Sequence, residues 1–143
     1  MDHDVTATAD RILDRARVFA VVGASPSPWR PSHGVMRTLL DHGYEVVPVR
    51  PGVEEILGQR AYPDLASIPA EVEVDVVDVF RRSERAGVHV DEAIARGVGA
   101  AWLQLGVIDE AAATRARAAG LDVVMDRCPA IELRRRGGIG RRP

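Results

Sequence analysis

The feature that most constrains this chain is a rhythm. Five short apolar runs, separated by segments with helical spacing, recur between residues 18 and 125. The first, Val18-Phe19-Ala20-Val21-Val22, holds no polar residue and ends at Gly23. A strand with one wet face alternates apolar and polar residues, whereas a strand covered on both faces reads as unbroken apolar. The run is therefore expected to be a strand inside a parallel sheet. The others are residues 44–49, 74–80, 100–105 and 121–125. Between the first two, Val35, Met36, Leu39 and Leu40 share one face of a helix that Ser32 is expected to cap and Gly43 to stop. Ser83 is expected to cap a helix carrying Ala86, Val90, Ala93 and Ile94 on one face and ending at Gly97. Asp109 is expected to cap an alanine-rich helix that ends at Gly120. Residues 53–58 are at most a short helix, and a last one is expected over residues 130–135.

One-helix crossovers between strands imply parallel pairing with right-handed connections. The expected fold is α/β: a three-layer, Rossmann-like, doubly wound five-stranded parallel sheet. A chain of 143 residues suits a single domain with its own core. That domain is expected over residues 18–135. A polar, then helical, extension precedes it over residues 1–17, with Ile12, Leu13 and Ala16 as a docking stripe. An arginine-rich tail, expected to be disordered, follows over residues 136–143. In such folds ligands bind beyond the carboxyl ends of the strands. The loops after Val22, Val49, Phe80, Leu105 and Met125 are thus the candidate site.

Charge narrows the ligand class. The formal net charge is −2, which gives no general field for nucleic acid. Residues 134–142 hold five arginines and no acid, so the rest of the chain stands near −7. Every Lys or Arg is an arginine, a residue that grips phosphate well and shuttles protons poorly. The single cysteine, Cys128, excludes an internal disulfide. The N-terminus lacks a signal pattern, and no apolar run nears the roughly 20 residues of a membrane span. The expectation is a cytoplasmic protein.

The loop after the first strand reads Gly23-Ala24-Ser25-Pro26-Ser27-Pro28-Trp29-Arg30-Pro31-Ser32, and its three prolines exclude helix. Gly23 permits a tight turn and close approach of a ligand to the backbone. The free N–H groups and dipole of the helix that follows favour an anion. Ser25 and Ser27 offer hydroxyls, and Arg30 a planar fork for anionic oxygens. The dinucleotide fingerprint G-x-G-x-x-G is absent. The second strand ends in Pro48-Val49-Arg50, where an NAD site wants an acid for the ribose. Arg50 suits a phosphorylated ribose instead, as in NADP or in the 3′-phosphate of coenzyme A.

Five motifs in order carry a family resemblance: VVGAS at residues 21–25, VVPVRP at 46–51, VDVFRR within 75–82, WLQLG at 102–106 and MDRCP at 125–129. Over residues 18–133 the chain resembles the small stand-alone CoA-binding domain proteins. These are similar to the nucleotide-binding domain that opens the succinyl-CoA synthetase α subunit. The resemblance implies a Rossmann-like fold and CoA or acyl-CoA as ligand. It implies that Gly23, Ala24 and Ser25 meet the CoA phosphates with help from Arg30. It puts Pro48, Val49 and Arg50 at the adenosine end, with Phe80, Arg81 and Arg82 bordering the nucleotide. The synthetase's chemistry needs a separate phosphohistidine domain and a partner subunit. A non-catalytic or accessory CoA-binding protein is therefore expected, with no catalytic residue and no metal site. Two alternatives are an NADP-dependent oxidoreductase and a CoA-responsive regulatory or scaffold subunit, working in a homo-oligomer or with a protein partner. Absence of any Tyr-x-x-x-Lys pair counts against the first.

Other residues have a plainer reading beside the chemical one. Cys128 beside Arg127 has the setting for a lowered thiol pKa, yet a small packing residue is the simpler expectation. Asp75 and Asp78 interrupt the third strand, and their odd spacing puts them on opposite faces, so structural hydrogen bonding is expected rather than paired acid–base work. Gln104 shares a face with Trp102 and lies within reach of a ligand, whereas Trp102 is expected in the core. Trp29 either covers an adenine or lies on the loop. His3, His33, His42 and His89 show no metal spacing, and His33 falls in the first turn of the phosphate-loop helix.

Overall fold

The computed structural model describes residues 2–141. In chain order the elements are α1 (Asp2–Arg15), β1 (Val18–Val22), α2 (Pro31–Asp41), β2 (Glu45–Val49), β3 (Glu55–Ile56), β4 (Gln59–Arg60), a 3₁₀ turn (Leu65–Ser67), β5 (Val76–Val79), α3 (Ser83–Arg96), β6 (Ala100–Leu103), α4 (Glu110–Ala118), β7 (Asp122–Val124) and α5 (Pro129–Arg135). Five strands form one parallel sheet in the order β2-β1-β5-β6-β7. From β1 the chain moves outward to β2, then returns past β1 and builds the other half. The strand order therefore reverses between β1 and β5, and a crevice opens there.

Alternation along each strand sorts the core into two layers. Phe19, Val21, Val76, Trp102 and Val124 face α1, α2 and α5, packing with Leu13, Met36, Leu39 and Leu133. Ala20, Val22, Val77, Leu103 and Val123 face α3 and α4, packing with Ala86, Val90, Ala112 and Ala116. All four residues of β5 are buried, as the covering of both faces requires. The Rossmann-like α/β fold read from the sequence is the fold observed.

Several local expectations are corrected. Ser32 is not the cap of α2: the helix starts at Pro31, Arg30 is its N-cap, and no side chain caps it. Pro31 preorganises that start, because its fixed φ suits the first helical position and it has no N–H to satisfy. Ser83 also lies inside its helix, after Arg82. Its hydroxyl instead links the loop after β6, donating to the Gly106 carbonyl at 3.3 Å and accepting from the Ile108 N–H at 3.0 Å. Asp109 does cap α4, accepting from the Ala112 N–H at 3.0 Å. Residues 53–58 are no helix. Leu57 and Gly58 both have positive φ (51° and 75°), the requirement of a tight two-residue hairpin turn, and β3 and β4 pair antiparallel across it.

The N-terminal helix is bound to the body of the protein. Ala9, Ile12, Leu13 and Ala16 are buried, and Arg11 makes a fork to Asp122 at 2.8 and 3.2 Å. Arg136 has a buried side chain that donates to the Asp10 and Ile139 carbonyls, both at 2.9 Å, and to the Asp14 carboxylate. Arg135 joins Asp10 and Glu132. The basic segment thus begins by clasping α1 to α5. Among the described residues no helix is long and apolar enough to cross a membrane.

Candidate functional site

A cleft of about 820 Å³ opens over the carboxyl ends of β1, β2, β5 and β6. Gly23, Ala24, Ser25, Arg30, Val49, Arg50, Phe80, Arg81 and Arg82, all singled out from the sequence, lie on its walls. Pro48 does not. It is buried one position back in β2, where its carbonyl accepts the Tyr62 N–H at 3.0 Å.

Beyond the tight turn read from the sequence, Gly23 is needed for a second reason. It has φ +86°, and a Cβ there would fall 2.6 Å from the Phe80 carbonyl oxygen. The close approach is to the exit of β5. The two strand ends are further tied by the Phe80 N–H donating to Val22 O at 2.8 Å, and Gly23 N–H donates to Val49 O at 3.2 Å. Gly23 therefore draws the exits of β1, β2 and β5 together and so shapes the crevice. Ser25 is buried, and its Oγ accepts the Ser27 N–H at 3.1 Å, which leaves its own proton to donate. Arg50 donates to the Ala24 carbonyl at 3.2 Å, tying the end of β2 to the loop after β1.

Four arginines, at positions 30, 50, 81 and 82, ring the cleft. Among the described residues none of them has a carboxylate partner, while Arg11, Arg115, Arg135 and Arg136 elsewhere all do. The uncapped first turn of α2 opens on the same space. Unpaired guanidinium groups beside free helix N–H groups make a site for several anionic oxygens. The acids on the wall are already engaged. Asp64 accepts from Ser67, and Glu92 pairs with His89 Nδ1 at 2.7 Å.

The remaining candidates divide between core and floor. Trp102 is fully buried and donates from Nε1 to the Arg127 carbonyl at 3.0 Å. Cys128 is buried in the α2-side core and lies off the cleft wall, as does His33. Trp29 stands in solvent with 89% of its surface exposed. Asp75 makes the structural bonds expected of it, accepting from the N–H groups of Arg17 and Val18 at 2.9 and 3.0 Å. Asp78 does not: it is fully buried and neither carboxylate oxygen has a partner. That burial pushes its carboxyl well above the usual carboxylate range. Ser32 and Gln104 are buried on the cleft wall. Pro63, Asp64, Leu65 and Glu92 escaped the sequence reading, and His89 was weighed only for metal spacing, because a connector and a helix flank carry no ligand-binding signature of their own.

Residues 17–134 match the family described as CoA binding domain. The chain belongs to this CoA-binding domain family. Its similarity extends to whole proteins of the same size. It is 37% identical over 128 residues to the uncharacterized protein YneT of Bacillus subtilis, covering 90% of this chain and 93% of that one. A hypothetical protein from Pyrococcus horikoshii superposes with a TM-score of 0.84 at 38% identity, covering 94% of this chain and 91% of that one. A larger relative is the dinucleotide-forming acetyl-coenzyme A synthetase 1 of Ca. Korarchaeum cryptofilum, with a TM-score of 0.72 and 26% identity. There the match covers 81% of this chain and 27% of the synthetase. The CoA-binding domain is thus found both alone and as one part of a longer enzyme.

Proposed function

We propose that this CoA-binding domain protein binds CoA or an acyl-CoA in the cleft at the β1–β5 crossover and acts as a non-catalytic or accessory subunit. The observation that carries the reading is the ring of four arginines without acidic partners around an uncapped helix start. CoA presents a diphosphate and a separate ribose phosphate, so it asks for cations at more than one point of the cleft. Gly23, Ala24 and Ser25 would offer the loop after β1 to the diphosphate, with Arg30 beside it. Val49 and Arg50, with Pro48 supporting them from behind, would meet the adenosine and its 3′-phosphate. Phe80, Arg81 and Arg82 would border the nucleotide from β5.

Titration calorimetry with CoA, acetyl-CoA, NADP and NAD tests this. Both CoA species should bind, and NADP and NAD should bind more weakly or not at all. Tight NADP binding without a CoA signal would overturn the proposal. Arg50→Ala and Arg81→Ala should each weaken CoA by roughly tenfold, the worth of a charge-assisted hydrogen bond. Raising the salt concentration should weaken wild-type binding, because exposed charges are screened.

A further inference from the structure

Three buried polar side chains of the α2-side layer leave oxygens without any hydrogen-bond partner: Ser32 Oγ, both carboxylate oxygens of Asp78, and Gln104 Oε1. Such groups are rare, because each forfeits its hydration without recompense. The fold sends them to one place. Asp78 is in register with Val21 and Trp102, both of which face α2. Gln104 follows Trp102 by two residues, and its N–H continues the ladder to Val79 O at 3.2 Å, so its side chain faces the same way. Ser32 lies in the first turn of α2, above that face. Ser32 and Gln104 are 2% and 7% exposed, and both line the cleft, whereas Asp78 is fully buried and off its wall.

We propose that Ser32 and Gln104 form a hydrogen-bonding floor for the neutral, amide-bearing pantetheine arm of CoA, so that the cleft selects CoA over its nucleotide alone. The inference rests on the CoA reading above. The chemistry matches: a hydroxyl and a carboxamide both donate and accept, as do the secondary amides and hydroxyl of the arm. Neither side chain carries a charge. A neutral floor accepts amides and leaves the phosphates to the arginines.

The test compares CoA with 3′-phosphoadenosine 5′-diphosphate, which keeps the phosphates and lacks the arm. Wild type should bind CoA more tightly than this nucleotide. Gln104→Leu and Ser32→Ala should weaken CoA roughly three- to tenfold and leave the nucleotide unchanged, the worth of one neutral hydrogen bond. Equal loss for both ligands, no loss for either, or equal wild-type affinity for the two would overturn the floor and leave the CoA reading standing. Binding of neither ligand to wild type would overturn both.

Discussion

Burying the Asp78 carboxyl without a partner makes its contribution to stability depend on pH. Its folded pKa lies above its unfolded one because burial disfavours the carboxylate. The stability it contributes is then fully present below the unfolded pKa and is lost as pH rises toward the folded pKa. Across that window the wild type should lose up to about 1.4 kcal/mol per pH unit relative to Asp78→Asn, which has no proton to release. Urea denaturation of the two proteins from pH 4 upward checks this, and parallel pH profiles would contradict it. Tyr44 follows the same sign at the alkaline end. Burial is the main cause that pushes it up to about 12, so its contribution is lost as pH climbs past 10 toward that value. The residue scale also shows what sequence reading can miss. The spacing of Asp75 and Asp78 revealed that they face opposite ways, but whether each finds a donor depends on chain segments brought in from elsewhere. Asp75 meets the N–H groups at the entry of β1, whereas Asp78 meets core.

At the scale of elements the working unit is three strand ends held by one glycine. Gly23→Ala combines a strained positive φ with a Cβ that would sit 2.6 Å from the Phe80 carbonyl oxygen, a backbone atom with little room to retreat. It should cost about 2–3 kcal/mol of stability and weaken CoA, because the loop must move away from β5. Ala at Gly43, where φ is +87° and nothing lies within 4 Å of the added Cβ, should cost only the conformational strain, about 1 kcal/mol. Equal losses of stability in the two variants, measured by chemical denaturation, would refute the role given to the contact with Phe80. Gly23 was visible in the sequence as a turn residue, but the atom that demands it was not, since Phe80 lies far along the chain. The start of α2 shows the same limit. Ser32 suggested a cap there, yet the helix begins at Pro31 with Arg30 as its N-cap, two residues before Ser32, and its end is left open to the cleft.

At the scale of the whole molecule, charge is arranged against the net value. The chain carries −2 overall, yet its cleft concentrates arginines without acidic partners. The opposite arrangement holds at the chain's two ends, where Arg136 is enclosed by Asp10, Asp14 and backbone carbonyls. Arg136→Ala should remove a buried guanidinium that ties Asp10, Asp14 and the Asp10 and Ile139 carbonyls together, and destabilise the protein by about 3 kcal/mol. That corresponds to a fall of roughly 10 °C in the unfolding midpoint for a domain of this size. Hydrogen exchange should show the loss concentrated in α1, and Arg136→Lys should not rescue it, because an ammonium cannot span the same acceptors. Uniform loss of protection across the sheet would place the role of Arg136 elsewhere.

The unbroken apolar runs, the Gly and Pro punctuation and the helical spacing between them were enough to determine the α/β class, the parallel sheet and the end of it where the cleft opens. These are local properties: burial of both strand faces and the period of each segment are written in neighbouring residues. The absent glycine fingerprint and Arg50 likewise pointed to a phosphorylated ribose from composition at a single strand end. Only the tertiary structure decided which arginines lack acidic partners, why Gly23 must be glycine, that Asp78 has no donor, and that Ser32 and Gln104 face one space. Each of these depends on atoms from distant strands arriving within a few ångströms, and such distances are set by the packing of layers rather than by the order of residues.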